Sequence, residues 1–283
     1  MDRDKRADKG PAASAPSGGL HETMTSEKWC RTALSPSRLP GLDYSLNPYY
    51  GCAHACRYCY VPNVLHVDRK KWNRAYAKVN IPTVLQKELR SKKEGIVGIS
   101  TVTDPYQPVE REYELTRKCL SVLLRKDFPV NIQTKSDLVV RDMDIIKKFS
   151  RAAVGITVTT LDEEDAGLLE PGAPPVEKRL DAAREMADRG LYVYIFFGPV
   201  FPDIGTDEVD EYVRTFVDAG AREIIIDSLH LKAGVRESVL SALTDDKREE
   251  FERGLDGNYY EGILKEMRKK CEGKIVLTEA FGY

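Results

Sequence analysis

The chain reads as an α/β protein whose core is a curved, partial (β/α)6 TIM-like barrel. Two observations carry that reading. From Ile96 onward, short runs rich in β-branched residues alternate with segments of helical apolar spacing, the order of parallel β/α units. No Gly-rich phosphate turn follows the first of these strands, which counts against a doubly wound dinucleotide-binding sheet. In such barrels reactive groups lie at the carboxyl ends of the strands.

Residues 1–26 are charged and then rich in Pro, Ala, Ser and Gly, so they are expected to be a disordered extension to one folded domain over 27–283. Pro36 and Pro40 bias their predecessors away from helix and make Leu34 to Leu42 an extended lead-in. Tyr44 to Asn47 then forms a short strand entering a cysteine-rich loop. Ala77 to Asn80 is extended, and Pro82 to Lys92 is helical, with Val84, Leu85 and Leu89 at helical spacing. Strand Ile96–Thr101 precedes helix Glu112–Lys126, and strand Val130–Thr134 precedes helix Val140–Ser150. Strand Val154–Val158 leads through a loop to helix Pro175–Asp188. Leu191–Phe197 precedes helix Asp207–Ala219, Glu223–Asp227 precedes the amphipathic Tyr259–Lys270, and Ile275–Leu277 closes a set of six or seven strands.

An apolar fraction of 42% over 283 residues suffices for a sizeable core, and 43 basic against 45 acidic side chains leave a net charge of −2. With no global positive field, a nucleic-acid partner is not favoured and would need a local basic patch. No run is apolar enough to be a signal segment or to cross a membrane, and half of the six cysteines share one loop. A reducing, cytoplasmic compartment is therefore expected. Cys119 falls on an apolar helix face and reads as core. Cys30 and Cys271 read as structural thiols, with a substrate-facing role as the alternative.

The loop reads Asn47-Pro48-Tyr49-Tyr50-Gly51-Cys52-Ala53-His54-Ala55-Cys56-Arg57-Tyr58-Cys59-Tyr60. Three cysteines cannot pair evenly, and cannot alone close a tetrahedral zinc site. Three thiolates can hold three irons of a four-iron cluster and leave the fourth open to a non-protein ligand. The alternatives are zinc completed by His54 or His66, in a metal-binding module without catalysis, or three unrelated thiols.

The spacing of Cys52, Cys56 and Cys59, with an aromatic residue before the last, resembles the radical S-adenosylmethionine (SAM) motif. Asn47 to Cys52, Thr103-Asp104-Pro105-Tyr106-Gln107-Pro108, Thr134-Lys135-Ser136 and Leu169-Glu170-Pro171-Gly172-Ala173-Pro174 together resemble its spore-photoproduct-lyase-like, or DNA repair photolyase-like, branch. The resemblance implies a radical SAM barrel in which Cys52, Cys56 and Cys59 bind a [4Fe-4S] cluster and SAM chelates the open iron. Tyr58 would pack on the adenine, Thr103 would meet the SAM amino group, Lys135 its carboxylate, and Thr157 or Thr159 the ribose side. It further implies an external electron donor of flavodoxin or ferredoxin type, and a deoxyadenosyl radical that takes hydrogen from an organic substrate.

One departure bears on that substrate. Spore photoproduct lyases carry a hydrogen-donating cysteine at the end of the second strand, where Thr101 stands here, and no cysteine lies between Gly95 and Lys118. A hydroxyl does not give up hydrogen to a carbon radical as a thiol does. Either the chain does not reverse thymine lesions in DNA, the reading favoured here, or Cys30, Cys271 or Tyr60 supplies the hydrogen.

Overall fold

The β-branched runs pair side by side in one sheet, in a computed structural model that describes residues 26–255 and 257–280. All but Ser26 of the expected disordered extension lies outside the described residues. The strands are β1 (Ser26–Lys28), β2 (Leu34–Pro36), β3 (Tyr44–Leu46), β4 (Tyr49–Tyr50), β5 (Tyr76–Lys78), β6 (Val97–Ile99), β7 (Val130–Thr134), β8 (Ala152–Thr157), β9 (Tyr192–Val200), β10 (Glu223–Ser228) and β11 (Val276–Glu279). The main sheet has the order β11-β10-β9-β8-β7-β6-β3-β2, parallel throughout except where β2 runs against β3. It does not close. Yet Leu42, between β2 and β3, and Ala280, just after β11, line the same cavity, so the sheet curls until its two edges flank one space. This is the partial barrel expected from the sequence.

Alternation along each strand separates a helix-facing layer from a cavity-facing one. On β9, Val193, Ile195 and Phe197 are fully buried, and Phe197 stacks against Tyr212 and Phe216 of helix Val209–Asp218 at 4.9 and 5.6 Å between centroids. Tyr194, Phe196 and Gly198 face the cavity instead. Burying one side chain such as Phe197 contributes about 2 to 3 kcal/mol, so this outer layer accounts for much of the fold's stability.

A small second sheet, β1-β5-β4, was not expected from the sequence. It supports the segment that enters the cysteine loop.

Two helices depart from their expected course. In place of one helix over Glu112–Lys126, there are helices Glu110–Tyr113 and Leu115–Leu124, broken at Glu114 with φ +51. The buried Glu110 carboxylate accepts from the Thr116 and Arg117 amides at 2.9 and 3.2 Å, and so caps a helix that must start after it. In place of a helix over Val140–Ser150, a 3-10 turn Asp137–Asp142 runs into the short helix Met143–Ile146. There Ser136 caps the turn, and the fully buried Asp142 is held by Arg117 at 3.0 Å and Arg141 at 2.7 Å. Polar anchoring, invisible in apolar periodicity, sets both boundaries.

Candidate active site

The cysteine loop is fixed from several sides by its own backbone. Gly51 opens it with φ +76, and a Cβ there would stand 1.9 Å from the Arg74 carbonyl oxygen, so only glycine fits. The Cys52 amide donates to the Trp72 carbonyl at 2.9 Å. Gln107, fully buried, accepts from the Ala53 amide at 2.8 Å and donates to the Gly51 carbonyl at 3.2 Å. Two more bonds come from the Leu169–Pro174 segment. The Arg57 amide donates to the Leu169 carbonyl at 2.8 Å, and the Gly172 amide to the His54 carbonyl at 3.0 Å. A Cβ on Gly172 would lie 2.0 Å from the Ala53 carbonyl oxygen, so this glycine permits the clamp.

Cys52, Cys56 and Cys59 all line a cavity of about 350 Å³ at the carboxyl ends of the strands. Burial pushes all three thiols up, Cys56 to about 12 despite the opposing charge of Lys135. The amides of His54 and Asp104 favour the Cys52 thiolate, and that of Val61 the Cys59 thiolate. Thiols held together against their ordinary ionisation, with amides aimed at their sulfurs, suit a cationic iron-sulfur centre that would draw off their protons.

Around them the polar groups form two linked networks. Asp104 accepts from Thr134 Oγ1 at 2.7 Å and from the amides of Tyr106 and Lys135 at 2.8 Å, with His54 Nδ1 at 3.4 Å. Burial would raise its pKa, but His54 and these donors outweigh burial and bring it down to about 2. Glu170, wholly buried, accepts from the Tyr58 hydroxyl and from Thr159 Oγ1 at 3.2 Å, and pairs with Arg179 at 2.5 Å and Lys135 at 3.8 Å. Burial again opposes ionisation, and the two cations outweigh it to hold Glu170 below the usual carboxylate range. The Lys135 ammonium also sits 5.5 Å above the Tyr58 ring. Burial works against its charge, while Cys56 and Glu170 raise its pKa.

Three buried polar atoms on the cavity wall have no hydrogen-bond partner among the described residues: Ser100 Oγ, Thr103 Oγ1 and His54 Nε2. Unsatisfied groups of this kind cost stability unless a ligand completes them. Together with the three thiols and Lys135, they fit a polar, anionic ligand beside a metal cluster.

The structure brings Tyr58, Tyr60, Thr103, Lys135 and Thr157 to this cavity with the cysteines. Thr159 stands one layer behind, its hydroxyl engaged by Glu170. Cys30 lies elsewhere, its backbone paired twice with Asn80 at 2.9 and 2.8 Å, and Cys271 is buried at the end of helix Tyr259–Cys271, where burial pushes its thiol up to about 11. At the end of the cysteine loop, Tyr60 meets His230 edge to face at 5.4 Å, and His230 Nε2 lies 3.3 Å from Asp227. Tyr194 reaches across the barrel floor to Asn131 Oδ1 at 2.8 Å.

For a zinc site, His54 faces Asp104 and His66 is exposed. Among the described residues no group of three or more His, Cys, Asp or Glu side chains is placed to hold a single metal ion. Sequence reasoning missed the roles of His54, Gln107, Glu170 and Arg179. The motifs containing Gln107 and Glu170 signalled them; Arg179, on an amphipathic helix, gave no signal.

The sequence model of the radical SAM superfamily matches residues 46–216. An uncharacterized protein of Methanocaldococcus jannaschii is 36% identical over 174 residues, which span 60% of this chain and 65% of that protein. A spore photoproduct lyase complexed with dinucleoside spore photoproduct shares the fold with a TM-score of 0.64 at 16% identity, over 90% of this chain and 81% of that one. Streptococcus suis SuiB bound to precursor peptide SuiA does so with a TM-score of 0.58 at 16% identity, over 84% and 48%.

Proposed function

The chain belongs to the radical SAM superfamily, enzymes built around a [4Fe-4S] cluster and SAM, and on that premise we propose that Cys52, Cys56 and Cys59 hold the cluster and that SAM occupies the cavity beside them. The observation that carries this reading is the convergence of three thiols, Lys135 and three unsatisfied polar atoms on one cavity wall. With both groups bound, one electron delivered to the cluster cleaves SAM to methionine and a 5'-deoxyadenosyl radical, which takes a hydrogen atom from the substrate.

The chain's own residues bind and orient. The Lys135 ammonium neutralises the SAM carboxylate, and Glu170, itself tied to Arg179, keeps that ammonium charged and aimed. Thr103 Oγ1 accepts from the SAM amino group, satisfying an oxygen that otherwise has no partner. The Tyr58 ring, fixed by its hydroxyl on Glu170, offers a face to the adenine. Thr157 borders the ribose, while Thr159 acts through Glu170 as a positioning residue.

The substrate lies toward Tyr60, Asp227 and His230. Two proteins of this fold, one complexed with a dinucleoside and one with a peptide, support no single substrate class. Lesion repair in DNA is the weaker reading, because the thiols on the cavity wall are those of the cluster itself, and neither Cys30 nor Cys271 reaches it. Tyr60, on the cavity wall beside His230, is then the residue that passes a hydrogen atom.

Anaerobic reconstitution with iron and sulfide should give about four irons per chain. Dithionite and SAM should then yield 5'-deoxyadenosine and methionine. Alanine at any one of Cys52, Cys56 or Cys59 should abolish both results and leave the fold. A folded wild-type protein that stays colourless and iron-free refutes the reading.

A further inference from the structure

The segment that follows the cysteine loop is basic in a chain that is not. From Val61 to Lys78 it carries five cations and a single acid, Asp68, whereas the whole chain has a net charge of −2. Asp68 is already engaged, accepting from the Lys71 amide at 3.0 Å as the cap of helix Arg69–Trp72. Lys70, Lys71 and Arg74 are exposed, and none of them makes an ion pair among the described residues. In the same segment Val64 and Leu65 are exposed apolar side chains, at 57% and 39%. A segment that exposes a few apolar side chains and several cations without ion-pair partners suits a brief, electrostatically guided encounter rather than a permanent complex.

The same helix touches two of the three cysteines. The Trp72 carbonyl accepts the Cys52 amide at 2.9 Å. The Trp72 indole N–H, buried and without a well-aligned acceptor, lies beside the Cys59 sulfur. Trp72 in turn meets Tyr50 edge to face at 5.5 Å, and Tyr50 leans on Tyr76 at 6.0 Å. Trp72 therefore follows Lys70 and Lys71 directly in the helix and ends three linked rings, Tyr76, Tyr50 and Trp72, the first two of which lie under the Lys28 ammonium at 4.1 and 3.9 Å.

We propose that this surface docks a small acidic one-electron carrier protein, and that the electron enters the cluster through Trp72. The proposal rests on the assignment of the cluster to the three cysteines. One electron leaves the carrier and reduces the cluster by one, and no bond is made or broken. A nucleic-acid backbone could match the same charge, but Lys70, Lys71 and Arg74 do not line the cavity, and a phosphate backbone has no use for Val64 and Leu65 or for a ring path to Cys59.

The test compares wild type with the triple variant Lys70→Glu, Lys71→Glu, Arg74→Glu, all reconstituted. The readout is the rate at which cluster absorbance bleaches, with reduced flavodoxin or with dithionite as reductant. Flavodoxin-driven bleaching at low salt should slow at least about tenfold in the variant and lose its salt dependence, while dithionite-driven bleaching is unchanged. Flavodoxin binding to the variant should weaken in parallel. Equal flavodoxin rates in the two proteins overturn the docking site. So does a variant that loses only its affinity for a labelled DNA duplex, which would assign the patch to nucleic acid. A wild type that takes up no iron fails at the earlier step and overturns the cluster itself.

Discussion

On one side of the cavity, the cysteine loop is bound by backbone and buried side chains to three other parts of the chain: Trp72, Gln107 and the Leu169–Gly172 turn. On the other side, the end of β10 offers Asp227, Ser228 and His230, with the His230 side chain 34% exposed. A wall that must present one cofactor in one geometry at every turnover benefits from being over-determined. A wall that admits and releases a substrate needs room and slack. The two walls therefore respond differently to substitution, and the following measurements exploit that.

The largest effect is expected at Gly172. Alanine there would place a Cβ 2.0 Å from the Ala53 carbonyl oxygen, and a backbone atom cannot swing aside. Gly172→Ala should cost about 3 kcal/mol, read as a lowered melting temperature of the unreconstituted protein, together with reduced iron uptake. If the variant matches wild type in both, the Leu169–Pro174 clamp does not shape the loop.

Next comes acid. Asp104 has a native pKa of about 2, below the roughly 3.9 of an unfolded aspartate. Its ionised form therefore stabilises the fold fully above about pH 4, and the contribution disappears as pH falls through about 2, a loss of about 2 kcal/mol. Glu170, also held low, acts in the same direction. Urea midpoints of the apoprotein should fall over that window, and Asp104→Asn should flatten the slope. A variant with the wild-type slope would show that the Asp104 carboxylate is not the group that titrates in that window.

Lys135→Met keeps length and apolar stem but removes the ammonium. Loss of a charge-assisted hydrogen bond of about 2 kcal/mol should weaken SAM binding roughly thirtyfold by calorimetry. Cluster content should stay as in wild type, because Lys135 pairs with Glu170 and acts on Cys56 and Cys59 only through its charge. Unchanged SAM affinity would move the carboxylate elsewhere.

The sequence displayed the cofactor side of this contrast well and the rest unevenly. Cysteine spacing is a local signal, and so are the strand-end motifs that hold Thr103, Lys135 and Glu170, which is why the partial barrel and its rim could be read before any coordinates. What escaped is what only folding brings together. Glu110 opens one helix and its carboxylate caps the next across a residue at φ +51, a side-chain effect that apolar periodicity does not register. Arg179 lies on an ordinary amphipathic helix and reaches Glu170 nine residues earlier only because Pro175 and the turn before it fold the helix back. The strands of the small sheet are at most three residues long, too short for any alternation to stand out.

The smallest effect is expected on the substrate wall, and its smallness is the point. Asp227 faces the cavity with a side chain 13% exposed and has the His230 imidazole beside it at 3.3 Å. Burial pushes its pKa up, and His230 opposes that rise, so its charge is only weakly held. Asp227→Asn keeps shape and can still bond to the imidazole, so stability should change by no more than about 0.5 kcal/mol. SAM affinity should stay within about twofold of wild type, since neither Lys135 nor Thr103 touches Asp227. Substrate-free formation of 5'-deoxyadenosine should also persist, measured as product per cluster over time. Should SAM affinity instead fall as far as in Lys135→Met, then Asp227 belongs to the cofactor site, and the division of the cavity into a braced half and a permissive half fails.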